Sequence, residues 1–189
     1  MESLLSIALG IGLAAATGFR LFVPLLFAGL AARFGWIPLS DGFSWLASTP
    51  ALIMLGTAAI FETLAYYIPG IDHVLDVLAG PIALIAGIVA SASVMADIPS
   101  TVMWPIAIIA GGGIAGATKG SAAIVRAKTG LATGGLGNPV ISTAETTSAI
   151  ALSILAIAVP VLALLAVIAL LIWTIRKAGR VMSRRSRAP

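Results

Sequence analysis

Apolar stretches long enough to cross a bilayer follow one another along almost the whole chain. A spanning helix takes about 20 such residues, within a range of roughly 17–25. The stretches 3–32, 50–68, 77–96, 102–118 and 139–175 reach or exceed that length. Composition agrees: 60% of the 189 residues are hydrophobic and 10% charged, against about 45–50% and about 25% in a soluble domain. A soluble or disordered chain is therefore excluded, and the sequence predicts an all-α membrane protein. One polytopic membrane domain is expected over 1–175, with halves 1–100 and 101–175, followed by a basic tail over 176–189.

Two of these stretches exceed one upright span. The first is interrupted at Thr17-Gly18-Phe19-Arg20, with Pro24 close behind, which predicts a long span and then a shorter helical piece. The last carries Pro160 near its centre, where a helix kinks or a turn divides two spans. Two spans there bring the expected total to six. Between the first two spans, residues 35–48 mix Trp36, Phe43 and Trp45 with turn formers, the pattern of an interfacial segment.

Six of the eleven basic residues fall in the last fourteen positions. A basic flank beside an apolar run is drawn to anionic headgroups on the cytoplasmic side, so the bilayer is the expected partner and nucleic acid is not. Lys119, Arg126 and Lys128 fall on the same side as the tail, with Arg33 alone opposite. Both termini are then expected in the cytoplasm, with the protein in the inner membrane. The opening Met1-Glu2-Ser3 carries no basic segment, so the first stretch reads as a retained helix rather than a cleaved signal.

Residues 10–17 and 111–118 resemble each other at an offset of 101 residues. Three spans per half would make the halves inverted repeats with interrupted helices at matching places, after Thr17 and after Thr118, as in many transporters. Gly10, Ala14 and Gly18 are spaced by four, as are Gly112, Gly116 and Gly120. Tight packing of helices, or of copies in a homo-oligomer, is the plainer reading of these small faces. Local unwinding that exposes carbonyls to a ligand is the alternative.

Ionisable groups at membrane depth cost about 2.5–3.5 kcal/mol each on insertion scales and point to function. Glu62, with Tyr66 one turn on, lies near the end of the second span, and Glu145 lies near the start of the fifth. Both sit about 9 Å inside the cytoplasmic boundary at about 1.5 Å per residue. If those spans are neighbours, the carboxylates share a site that binds a proton or cation. Asn138, Ser142 and Glu145 form an oxygen-rich face, although Ser142-Thr143-Ala144-Glu145 also reads as a capping box. Against that box, Asn138-Pro139 already offers a cap and a first-turn proline. Arg20 either snorkels to the outer interface or points inward, lining one central cavity with the acidic pair. The candidate binding residues are Arg20, Glu62, Tyr66, Asn138, Ser142 and Glu145.

Other chemistries find little support. The chain has no cysteine and one histidine, so no metal centre and no cofactor are expected. Asp72, His73 and Asp76 read as a solvated loop in preference to a metal site. The glycine-rich stretch 129–138 offers amides to an anion, but lacks the Gly-Lys-Ser/Thr ending of a nucleotide-binding loop. No arrangement indicates an enzyme.

Three motifs carry a resemblance over nearly the whole chain: Gly18-Phe19-Arg20-Leu21-Phe22-Val23-Pro24-Leu25; Glu62 through Tyr66-Tyr67-Ile68-Pro69 to Asp72 and Asp76; and Thr133-Gly134-Gly135-Leu136-Gly137-Asn138-Pro139 to Glu145. With these the chain resembles the bacterial membrane family called domain of unknown function 4126. The resemblance implies a polytopic bacterial membrane protein with no assigned activity. A small transporter or channel for an ion or small solute is the leading expectation. A non-transporting membrane scaffold or assembly protein is the rival.

Overall fold

The computed structural model describes residues 3–68 and 71–185 and is helical throughout, with no strand among the described residues. Its seven helices are α1 (Ser3–Thr17), α2 (Phe22–Arg33), α3 (Thr49–Ala65), α4 (Ile71–Ser93), α5 (Ser100–Thr133), α6 (Asn138–Ala158) and α7 (Pro160–Arg185). Helices α5 and α6 are long and apolar enough to cross a membrane, and the other five contain shorter apolar runs.

The first apolar stretch is a helical hairpin. Helix α1 ends where Gly18, Phe19 and Arg20 donate their amides back to Ala15 and Ala16, and α2 opens two residues later with Pro24 in its first turn. The start of α1 is tied to the turn after α4 by Ser6 Oγ, which donates to Asp97 Oδ2 at 3.1 Å. Helix α2 runs back to that same end, where Arg33 donates to Ala47 O and Thr49 Oγ1 at the start of α3. Ser40, just beyond α2, bonds Ala92 and Ser93 at the end of α4. Trp36 and Trp45 of the segment read as interfacial are exposed at this end of the bundle, whereas Phe43 packs against the Trp104 ring.

Helix α1 is the central element and packs on α4, α5, α6 and α7. Its small residues set the approach. A side chain at Gly10 would meet Ser91 and Met95, and one at Gly12 would meet Ala156 and Ala163. At Gly18 a Cβ would stand 2.5 Å from the Ala115 carbonyl oxygen and from Thr118 Cβ, so only glycine fits there. Gly10, Gly18, Gly112 and Gly116 of the four-residue spacing thus serve close helix packing, whereas Gly120 faces open space.

Helix α5 differs from expectation. The break expected after Thr118 is absent, and the helix runs on to Thr133, so the stretch read as a glycine-rich loop is largely helical. Interior Gly116 and Gly120 cost about 1 kcal/mol each in helix propensity, and no proline interrupts 106–133 to stop the helix. The irregularity lies earlier, as a π segment over Ala107–Gly112. Pro105 supplies no amide there and crowds the preceding turn. The helix ends at Gly134, at φ +61°, followed by Gly135 at φ +90°. Gly135 N reaches Gly130 O at 2.9 Å to close the end.

The repeated segments 10–17 and 111–118 lie side by side and run the same way. Gly10 packs on Ser91, which packs on Gly111, while Gly18 packs on Ala115 and Thr118. Halves related by inversion would run these segments oppositely, so the inverted arrangement is not the one adopted.

Pro160 separates two helices, as the six-span reading preferred. The preceding Val159 leaves helical geometry at φ −143°, ψ 77°, as a residue before proline tends to. Ser148 and Leu170, each eleven residues from Val159, line one cavity, so α6 and α7 fold back as a hairpin. Leu170 and Phe19 meet there, at the opposite end of α1 from Ser6. The start of α1 and the basic end of α7 therefore lie at opposite ends of the bundle. The expected arrangement of six spans with both termini on one side is therefore not confirmed, because the α1–α2 hairpin adds a further pass along the bundle. Helix α7 also continues to Arg185, so most of the predicted tail is an extension of it. Helix α4 starts at Ile71, so Asp72, His73 and Asp76 lie on a helical backbone; their side chains fall outside the described residues.

Candidate functional site: a buried ionic centre

Four parts of the chain deliver charged side chains to one place inside the bundle. The turn after α1 supplies Arg20, which is fully buried. Near its end α3 supplies Glu62 and, one turn later, Tyr66. Helix α5 supplies Lys119 and Arg126, seven residues and so two turns apart on one face. Helix α6 supplies Ser142, Glu145 and Thr146, spaced by three and four. Lys119, Arg126 and Glu145 are each 4–5% exposed. Together these hold three cations and two carboxylates.

Arg20 knits the centre together. Its Nε donates to Thr146 Oγ1 at 2.8 Å, and its Nη2 donates to Ser142 O at 2.9 Å and Ser142 Oγ at 2.6 Å. Its Nη1 lies 3.6 Å from Glu145 Oε2. The same carboxylate oxygen accepts from Arg126 Nη2. Both guanidinium groups lie over the Tyr66 ring, at 4.4 Å for Arg20 and 4.3 Å for Arg126, where the ring face attracts cations. Lys119 Nζ donates to the Tyr66 hydroxyl at 3.0 Å and stands 5.2 Å from the ring centroid.

Glu62 has a different task. Its Oε1 accepts from Leu21 N at 2.8 Å and its Oε2 from Phe22 N at 3.2 Å. The start of α2 has no side-chain cap of its own, and a carboxylate from α3 satisfies its first amides and opposes the positive helix end. The two carboxylates expected to share one site therefore hold different partners, Glu145 the arginines and Glu62 the first amides of α2.

Of the six residues singled out by sequence, five meet here: Arg20, Glu62, Tyr66, Ser142 and Glu145. Arg20 points inward and does not snorkel. Asn138 is placed elsewhere, at the first turn of α6, with its carboxamide against Gly130 of α5. It is the first helical residue, and Gly137 occupies the cap without a side-chain bond, so the expected Asn138 cap is not formed. Ser142 lies in the second turn of α6, which removes the capping-box reading of Ser142 and Glu145. The amides of the glycine-rich turn are spent internally, Gly135 on Gly130 O and Gly137 on Thr133 Oγ1, so the turn is no anion cradle.

Lys119 and Arg126 are the residues the sequence reading placed elsewhere, as charges of a cytoplasmic loop. The signal that finds them is their seven-residue spacing within a proline-free stretch. As interior groups they also drop out of the flanking charge that sets orientation.

A cavity of about 190 Å³ opens beside Glu145, between α5, α6 and α7. Thr118, Ser121 and Ser148 are on its wall, and Phe19 and Leu170 close one side. Among the described residues no group of three or more carboxylate or imidazole side chains comes together. What the centre offers instead is buried positive charge, the paired Glu145 carboxylate and hydroxyls next to open space.

The family described as domain of unknown function (DUF4126) matches residues 7–180. No curated protein and no solved structure matches the chain.

Proposed function

We propose that this chain, which belongs to the DUF4126 family, is a multi-pass protein of the bacterial inner membrane that moves an ion or small solute through its buried ionic centre. The observation that carries the reading is the centre itself: five formal charges from four separate elements, gathered around Tyr66 beside a cavity. Each charge at membrane depth costs about 2.5–3.5 kcal/mol on insertion scales, and an apolar filling of the same space would hold a bundle together at less cost. The outward faces of α3 and α4 support a lipid surround, with Ile53, Met54, Phe61, Val77 and Ile85 all more than 60% exposed.

Glutamine at Glu145 tests the reading. In proteoliposomes Glu145→Gln should reduce solute flux at least about tenfold, the effect of losing one charged hydrogen bond worth about 1.5–3 kcal/mol, while the protein stays helical and monodisperse. A scaffold role has one observation in its favour, since Glu62 serves architecture by capping α2. Under that role Glu145→Gln lowers stability or partner binding, and wild-type vesicles show no flux.

A membrane orientation follows as part of this proposal. Basic Lys128 and the end of α7 share one end, which the positive-inside rule places in the cytoplasm. The start of α1 and the 35–48 segment then face the other side. The chain has no cysteine, so single-cysteine variants report cleanly. With a membrane-impermeant maleimide, Ser3→Cys and Ser44→Cys should label from the outside and Lys128→Cys only after permeabilisation. Labelling of Ser3→Cys together with Lys128→Cys overturns this orientation.

A further inference from the structure

We infer that the cleft between α5, α6 and α7 binds a single-chain lipid with an uncharged, hydroxyl-bearing head, which sits beside Thr118 and Ser148 while the chain runs between α6 and α7. The inference goes beyond the transport reading and stands whether or not the ionic centre moves a solute.

Two adjoining cavities make up the cleft. The space of about 190 Å³ beside Glu145 carries Thr118, Ser121 and Ser148 on its wall. A second space of about 340 Å³ lies between α6 and α7, lined by Leu152, Leu155, Ala166 and Val167. Phe19, Ser148 and Leu170 border both, so the polar end of the cleft passes into an apolar arm. From Ser148 to Leu155 that arm follows α6 for seven residues, about 10 Å at the helical rise. Its volume falls within the range of about 300–1,000 Å³ common to ligand sites.

Thr118 points to a ligand. The residue is 2% exposed, and its Oγ1 has no hydrogen-bond partner among the described residues. Buried hydroxyls are nearly always paired, and leaving one unpaired is costly. Water would give Thr118 a partner but would not fill the second space, since apolar cavities stay dry. A bare hydrocarbon chain would fill that arm and leave Thr118 Oγ1 unpaired. One molecule that is polar at one end and apolar at the other does both.

The surroundings of the head select its charge. The Glu145 carboxylate borders the first space, and Arg20 and Arg126 pair with it. A charged head of either sign would lose its hydration and approach a group of its own sign. A hydroxyl meets neither penalty, and it can donate to or accept from Thr118 and Ser148. Bilayer tails are as apolar as the arm, so the chain adds little preference for the cleft. Selection therefore falls on the head.

The full chain in phosphatidylcholine nanodiscs tests this with a monoacylglycerol that carries a diazirine in mid-chain. Illumination should place the label on residues 151–155 of α6 or on Ala166 and Val167. Monoolein should compete for labelling about two- to tenfold better than methyl oleate, which has the same chain without the hydroxyls, the effect of one neutral hydrogen bond. Thr118→Val keeps the shape and removes the hydroxyl, so it should weaken monoolein competition by about the same factor. Ala151→Phe fills the arm from an exposed position and should abolish labelling there. Equal competition by the two probes, or unchanged labelling in Ala151→Phe, overturns the proposal without depending on how Thr118→Val folds. Label spread over α3 and α4 as strongly as over α6 marks ordinary bilayer contact and also overturns it. Better competition by oleate than by monoolein overturns the uncharged head. Reaction of Ser148→Cys with a membrane-impermeant maleimide marks a water-filled vestibule and overturns the lipid site.

Discussion

Arg20→Leu is expected to lower stability by about 3–5 kcal/mol, the range seen when one partner of a buried ion pair is removed. The side chain is fully buried and donates to Thr146 Oγ1, Ser142 O and Ser142 Oγ. Leucine would leave those oxygens and part of the Glu145 charge without their donors, in a setting where water cannot replace them. Arg20→Lys keeps the charge but loses the fork that reaches α6 at three points, so it should recover only part of the loss. Denaturation of the purified protein in mixed micelles measures both. A loss under about 1 kcal/mol for Arg20→Leu, the level of an exposed pair, would show that the centre does not hold α1, α3 and α6 together.

The same residue shows how far sequence reasoning reaches. Arg20 stands out because a lone cation in an apolar run has few tolerable positions, and the break at Gly18 shows where the chain bends. Glu62 and Tyr66 stand out through their one-turn spacing, and Ser142 and Glu145 through theirs. Each of these signals is local, and local signals survive in a single chain. Which side chain faces which is set by packing between distant helices. The capping of α2 by Glu62 joins residues about forty positions apart, and nothing near Leu21 announces it.

Lys119 and Arg126 illustrate the opposite error. Their neighbours Gly116, Gly120 and Gly130 suggest a loop by composition, and positive charge beside an apolar run suggests a cytoplasmic flank. Tertiary contacts override both. Gly18 lets α1 approach α5 at Ala115 and Thr118, and that contact supports the helix through the two cations. The inward helix face then gives the cations partners at Glu145 and Tyr66. The hairpin of α1 and α2 has the same origin. Its length reads as one span and a fragment, while its true return path depends on Arg33 and Ser40 meeting residues of α3 and α4.

Glu62 carries the second large effect, and it separates architecture from solute handling. Its two oxygens hold the first amides of α2, and hydrogen bonds to a charged group are worth about 1.5–3 kcal/mol each. Glu62→Leu should therefore cost about 3 kcal/mol or more. Glu62→Gln should fall between, because one amide oxygen can replace only one of the two acceptors and the NH2 group opposes the other amide. The damage should be local before it is global. Amide hydrogen exchange at Leu21, Phe22 and Val23 should quicken by a larger factor than exchange in α6. By contrast, Glu145→Gln should quicken exchange around Arg20 and Arg126 and leave the first amides of α2 protected. If Glu62→Gln instead lowers solute flux as far as Glu145→Gln does, with exchange at Leu21 and Phe22 unchanged, then Glu62 faces the solute.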